Sequence, residues 1–475
     1  VKIPFVGPTY QARSLGANAQ RTVNCYLEMD QGSPRAPVAL YGMPGLVQRA
    51  TLGAGACRGC IASGGYWYFV AGNTVYRIST TYVVDTCGTI NTSTGRVGMA
   101  TNGAEVLIVD GVAGYIANGA TLTQITDPDF PNGVSSPTFQ DGYFLVTGDN
   151  SPRFYWNETP NTGSVWNGLD FASAEGSPDN TKANISDHRE LWLFGAESAE
   201  VWINTGDATS LFQRSGNTFI EQGTASAHTV AAMDNTVYWL GANKTGQGIV
   251  FKAQGYSPVR ISNHALETAM AGYSTISDAY SYCFQMEGHS FYVLTFPTAD
   301  ATWVYDAATG EWIEWLWRDP ATNELHRHRS VCCAFNNGVH LVGDWENGNV
   351  YSLDLGAYTD AGDPILRLRR TQTMSEENKR LFFTEVVIDM ETGVGGYEGD
   401  GEAFEPEVQL RFSNDGGHTW SNERRCNLGG PGEYGKRIRF GPTGSGRHRV
   451  WELSMTDPVK FAVFGASARV EKGAA

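Results

Sequence analysis

Few residues in this sequence have types and spacings that could carry chemistry. Ser413-Asn-Asp415-Gly416-Gly417-His-Thr419-Trp420 fits the pattern Ser-x-Asp-x-Gly-x-Thr-Trp, the Asp-box. In such a segment the Asp415 carboxylate and Thr419 hydroxyl can satisfy the backbone donors of a tight hairpin turn. Gly417 supplies a positive φ and Trp420 packs beneath. Ser413, Asp415, Gly417, Thr419 and Trp420 are therefore expected to build a turn, not a reactive centre. Cys57-Arg-Gly-Cys60 has the spacing of half a zinc site or of a redox pair, but no second Cys-x-x-Cys accompanies it. His326, His328 and Cys332 share parity on one possible strand, the outline of a three-ligand metal patch. The interleaved Arg327 and Arg329 suggest a solvated polar edge instead. The sequence contains no P-loop, no Gly-x-Gly-x-x-Gly after a strand, no His-Glu-x-x-His and no Gly-x-Ser-x-Gly. No catalytic, cofactor-binding or metal-ligating residue is singled out, and the expectation is a protein that is not an enzyme and uses no cofactor.

One enzymatic reading has a foothold. Sialidase-like propellers carry several Asp-boxes, and a glycosidase needs paired carboxylates converging on a pocket. This chain has one box, near its C-terminal end. A glycan-active or glycan-binding propeller is thus the alternative, to be recognised by carboxylates and exposed tryptophans gathered at a propeller mouth.

The elements that must position these residues are strands. The chain has 475 residues, 56 of them glycine, with 12% aromatic and only 18% charged residues. That balance favours many short strands joined by glycine turns over long amphipathic helices. No apolar run approaches the roughly 20 residues that span a bilayer, and Val1-Lys2-Ile3-Pro4 lacks signal-peptide features, so a soluble protein made in a cytosol, with no membrane insertion, is expected. The eight cysteines form no disulfide framework and read as free thiols. The net charge of −16 argues against wrapping nucleic acid by phosphate neutralisation. Residues 1–363 hold 18 Lys+Arg against 34 Asp+Glu, and residues 364–475 hold 16 of each, which marks a boundary.

A repeat organises the first part. A glycine or asparagine turn, an aromatic-rich apolar strand, a second turn and a strand of form apolar-Tyr/Trp-x-apolar recur seven times. The first strands of these units begin at Gly65, Gly103, Gly142, Arg189, Asn235, Gly288 and Gly338. Each is a hairpin signal. Strand-like stretches between them, such as Ser330-Val-Cys-Cys-Ala-Phe, complete four-stranded units about 40 to 50 residues apart, the period of propeller blades. The segment Trp303-Val-Tyr305-Asp306-Ala-Ala-Thr309-Gly310-Glu-Trp312 resembles the strand-turn-strand of kelch blades. There Tyr305, Asp306, Thr309 and Trp312 would form the turn and its packing. The prediction is all-β: a propeller of about seven blades, with six as the rival count, followed by a C-terminal antiparallel β-sandwich. Residues 1–50 form an N-terminal arm, in which Ala39 to Tyr41 or Val47 to Ala50 could close the ring. Residues 51–363 form the propeller, and residues 364–475 form the sandwich with its Asp-box hairpin. The sandwich rests on period-two strands such as Glu407-Val-Gln-Leu-Arg-Phe, charged on one face and apolar on the other.

Asn18-Ala-Gln-Arg-Thr-Val-Asn24-Cys-Tyr26-Leu-Glu28 and Ala39-Leu-Tyr-Gly-Met-Pro44-Gly45-Leu46 resemble the opening of the tail-hub, or packaged-DNA-stabilisation, family of short-tailed bacteriophages. Arg447-His-Arg449-Val-Trp451-Glu-Leu, Thr456-Asp-Pro458-Val and Arg469-Val-Glu resemble its terminal block. The resemblance implies a structural virion protein of the tail, assembled in the host cytoplasm. It would form a homohexameric ring below the portal and adaptor rings, retain packaged DNA and line its exit conduit. Its implied partners are those rings, tailspike, fibre or needle proteins, and viral DNA passing without sequence-specific binding. The Asp-box and the glycine-rich loop Gly393–Gly401 stand out against that pattern.

Overall fold

A computed structural model of the chain describes residues 1–29, 37–53, 55–207, 210–242, 246–396 and 404–473. Positions 397–401 of the glycine-rich loop lie outside the described residues. Among the described residues, seven antiparallel four-stranded sheets form the propeller. Six are continuous in sequence. They run from Cys57–Ser63 to Val84–Thr89, Gly98–Thr101 to Thr121–Gln124, Ser136–Gln140 to Trp166–Ser173, Ala183–Asp187 to Phe212–Ile220, Ala231–Met233 to Ser257–Arg260, and Tyr280–Met286 to Glu311–Glu314. The seventh is composite: Ser330–Asn336, Val339–Asp344 and Asn349–Asp354 take Gly45–Thr51 as their outer strand.

The seven hairpins read from the sequence are the second and third strands of these blades. Their entry turns explain the signal. Asp141-Gly142 and Glu287-Gly288 each place two residues at positive φ, the two-residue turn whose twist matches that of the flanking strands.

The innermost strands touch their neighbours all the way round, and Ser330–Asn336 of blade 7 packs on Cys57–Ser63 of blade 1. Between each pair of blades lies an apolar cluster. Val70, Ile108 and Tyr115 join blades 1 and 2, and Trp67, Phe69, Val331 and Leu341 close the ring between blades 7 and 1. The Trp67 indole also donates to the Ala334 carbonyl across that seam, at 3.1 Å. A blade cannot bury both faces alone, so this stacking supplies the core.

The second unit is a two-sheet sandwich. One sheet runs Cys25–Met29, Val38–Gly42, Ala462–Lys472, Leu381–Met390, Ile438–Phe440, with Lys2–Ile3 paired to Ala462–Lys472. The other runs Ala19–Val23, Arg367–Arg370, His448–Met455, Glu407–Ser413, Arg424–Asn427. Phe5, Leu40, Phe383, Trp451 and Phe461 meet in the core between them. The N-terminal arm therefore contributes to both units: Lys2–Ile3, Ala19–Val23, Cys25–Met29 and Val38–Gly42 are strands of the sandwich, and Gly45–Thr51 completes the last blade. Val23 bridges in parallel to Glu314, so blade 6 continues into the second sandwich sheet.

On Arg367–Arg370 the charged face does not meet solvent. Arg367, Arg369 and Arg370 are all buried, Arg369 under the arm and Arg370 against Glu452 and Trp420. The one α-helix among the described residues is His264–Ala271, opened by Asn263, whose side chain accepts from Leu266 N.

Candidate functional site

The Asp-box lies at the turn after Glu407–Ser413. Asp415 accepts from His418 N at 3.0 Å, from Thr419 N at 2.9 Å, from Thr419 Oγ1 at 2.5 Å and from Ser413 Oγ at 2.6 Å. Ser413 Oγ accepts in turn from Gly417 N, and Gly417 O accepts from the Trp420 indole at 3.1 Å. Gly416 and Gly417 both have positive φ, and a Cβ on Gly416 would come within 2.8 Å of the Gly16 backbone in the arm. The hydroxyls of Ser413 and Thr419 hold the Asp415 carboxyl well below the usual carboxylate range. The bonds to this carboxylate all come from its own turn.

Trp420 ties that turn to a charge network that the sequence reading missed. Its ring lies 4.7 Å from the Arg370 guanidinium and 5.0 Å from that of Arg411. Both arginines pair with Glu452, a buried carboxylate, through Arg370 Nη2 at 2.7 Å and through Arg411 Nε. Arg369 donates to the Phe5 and Pro8 carbonyls, Thr22 Oγ1 and Gln20 Oε1, all from the arm. Arg21 of the arm pairs with Glu314 of blade 6 at 2.7 Å. The only trace of this in the sequence is the density of arginine in Arg367-Leu-Arg369-Arg370; the partners lie from 41 to 364 residues away.

The kelch-like turn is built from the same chemistry. Asp306 accepts from Ala308 N at 3.0 Å, from Thr309 Oγ1 at 2.8 Å and from the His289 ring at 2.9 Å. That carboxylate raises the His289 pKa. Tyr305 and Trp312 pack with ring centroids 5.3 Å apart, and the Trp312 indole donates to Ile261 O. Other blades repeat the device with different residues. Asp149 accepts from the Tyr155 hydroxyl and Asp344 from the Tyr351 hydroxyl, each at 2.7 Å.

His326, His328 and Cys332 are not brought together as a ligand set. His326 meets Asp300 at 2.7 Å, whereas His328 is buried against Trp315, ring centroids 3.7 Å apart, with Nδ1 on Ser330 Oγ. Burial lowers the His328 pKa to about 3. Cys57, Cys60 and Cys332 sit at the seam between blades 7 and 1 as free thiols. Among the described residues, no group of three His, Cys, Asp or Glu side chains could hold a metal ion, and no helix is long and apolar enough to cross a membrane.

Among solved structures the chain is similar to the N-terminal domain of Nup159, at 10% identity over 70% of this chain and 98% of that one, with a TM-score of 0.44. The Neurospora crassa Pan2 WD40 domain is 9% identical over 69% and 97%, with a TM-score of 0.42. BamB from Moraxella catarrhalis is 10% identical over 69% and 98%, with a TM-score of 0.38. Likenesses this loose decide nothing about function. No curated protein matches the sequence. Two family profiles do match: the one described as bacteriophage P22 Gp10, beta-propeller, over residues 2–358, and the one described as bacteriophage P22 Gp10, beta-sandwich, over residues 367–471. With a fold of those two parts and profile matches over nearly its whole length, the chain belongs to the bacteriophage P22 Gp10 family of virion tail hub and nozzle proteins.

Proposed function

We propose that the protein is a non-catalytic hub subunit that assembles as a homohexameric ring below the portal and adaptor, retains packaged DNA and forms part of its exit conduit. The observation that carries this reading is the two-part family match across nearly the whole chain. The charge distribution supports it: residues 1–363 carry the entire −16. An acidic wall repels the phosphate backbone, so DNA slides without sticking. Tailspike, fibre or needle proteins are the further partners of such a hub.

The Asp-box and the kelch-like turn serve as structural turns in this account. Asp306, Asp149, Asp344 and Asp415 spend their acceptors on turn donors, tyrosines or His289, so the carboxylates most suggestive of glycan chemistry are already engaged. Mass photometry of the purified protein tests the reading. Six copies of the 51.6 kDa chain in one particle are expected. A monomer that hydrolyses or binds sialosides, and that does not join portal and adaptor rings when they are supplied, would overturn it.

A further inference from the structure

Where Arg21 and Arg370 meet carboxylates, each grips with the Nε–Nη2 edge of its guanidinium. On Arg96, which leads into blade 2, the same edge has no partner among the described residues. Its Nε is buried without a hydrogen bond, and Nη1 alone is bonded, to Val331 O of blade 7 at 3.0 Å. The guanidinium lies over the Tyr280 ring of blade 6, 4.7 Å from its centroid, and forms no ion pair among the described residues. An Nε–Nη2 edge matches two oxygens of an oxyanion at once.

Arg96 lines a cavity of about 410 Å³ bounded by the innermost strands of blades 1 to 4 and the segment entering blade 5. No Asp or Glu lines it, in a chain whose net charge is −16. Two more donors line it from other blades. Asn184 of blade 4 is 6% exposed, and its Nδ2 has no partner. His228 enters blade 5; burial and the Arg96 charge lower it to about 4, so at about pH 7 the ring is uncharged and offers one N–H. Buried donors left unmet are costly unless an acceptor completes them. Donors spread over three blades call for oxygens pointing in several directions, which a halide or a planar carboxylate does not supply.

We propose that this cavity binds one free tetrahedral oxyanion, inorganic phosphate or sulfate, held by the Arg96 Nε–Nη2 edge, Asn184 Nδ2 and the His228 ring, and that the ion ties blades 2, 4 and 5 together across the propeller channel. The ion sits within one subunit, so its test reads the site separately from the hexameric ring.

Calorimetric titration of the full chain tests the site with potassium phosphate, sulfate, acetate and chloride, compared at equal ionic strength. Saturable binding of phosphate or sulfate to a single site is expected, about tenfold or more tighter than acetate or chloride. The tighter of the two oxyanions identifies the natural ion. At saturation it should also raise the urea midpoint of the wild-type chain, because it binds the folded state alone. Arg96→Met keeps the aliphatic stem and should abolish both effects. Asn184→Asp places a like charge in the wall and should weaken binding about tenfold or more. The proposal is overturned if neither oxyanion binds, if acetate or chloride binds as tightly, if a folded Arg96→Met variant binds unchanged, or if a folded Asn184→Asp variant keeps the wild-type affinity.

Discussion

Asp415 is exposed, yet its carboxylate is enclosed by hydroxyl and backbone donors of its own turn. Asp415→Ala should cost about 1 kcal/mol in urea unfolding, a modest figure because solvent competes at this site. The depressed carboxyl gives the sign of the pH effect. Its contribution is complete above the ordinary carboxylate pKa and is lost as pH falls towards the lower folded value. The stability gap between wild type and Asp415→Asn should therefore close in strong acid. His328 and His228 add to acid sensitivity. Burial lowers them to about 3 and about 4, with Arg329 and Arg96 adding to the effect. The unfolded chain takes up protons near the ordinary histidine value while the native state refuses them, so stability falls as pH drops from about 6.5 towards those values. For each histidine the slope approaches about 1.4 kcal/mol per pH unit. Denaturation across that range should show a shallower slope in a folded His328→Phe variant. At this scale the sequence reading was partial. The turn residues of the Asp-box were legible because they interact within a few positions. Glu452 with Arg370 and Arg411, or Arg369 with the arm, could not be read, because their pairing depends on strand order.

The last blade of the propeller is completed by one strand from the arm. Gly45–Thr51 pairs along Asn349–Asp354 and buries Leu46 against Leu353 and Tyr351 of the composite blade. Leu46→Ala should destabilise the chain by about 2–4 kcal/mol in chemical denaturation through the cavity it leaves. A change of 0.5 kcal/mol or less would show that Leu46 does not anchor the strand to its blade. Arg369 pins the arm to the sandwich, and Arg369→Leu should cost about 3 kcal/mol by orphaning several buried acceptors. Increased proteolysis within residues 1–23 of that variant would show the arm released. The seven hairpins were legible because strand alternation and turn residues are local signals. Val38–Gly42 could not be assigned to the sandwich from sequence, since it pairs with Ala462 and Val463 at the far end of the chain. The helix His264–Ala271 also escaped notice, as its cap Asn263 sits among strand-like segments with the same apolar content.

For the whole molecule, the question is how an acidic propeller and a neutral sandwich are arranged about a common axis. The channel between a propeller's innermost strands is too narrow for a duplex, so DNA would pass between subunits of a ring, along its symmetry axis. The acidic half carries a further expectation. Binding of duplex DNA to the isolated protein should be undetectable in electrophoretic shifts at 0.1 M salt, and lowering the salt should not produce the steep gain that basic DNA-binding proteins show. Charge and repeat period made the propeller and a domain boundary legible in the sequence, and the motifs at the two ends carried the family resemblance, whereas the assembly depends on surfaces that no spacing reveals. The most direct test is electron microscopy of the tail assembled with its portal and adaptor. This account predicts six copies of the chain around an axial channel about 20 Å wide or more, enough for a DNA duplex, with acidic propeller surface facing that channel. Copies placed away from the axis, or a ring whose channel is too narrow for a duplex, would contradict it.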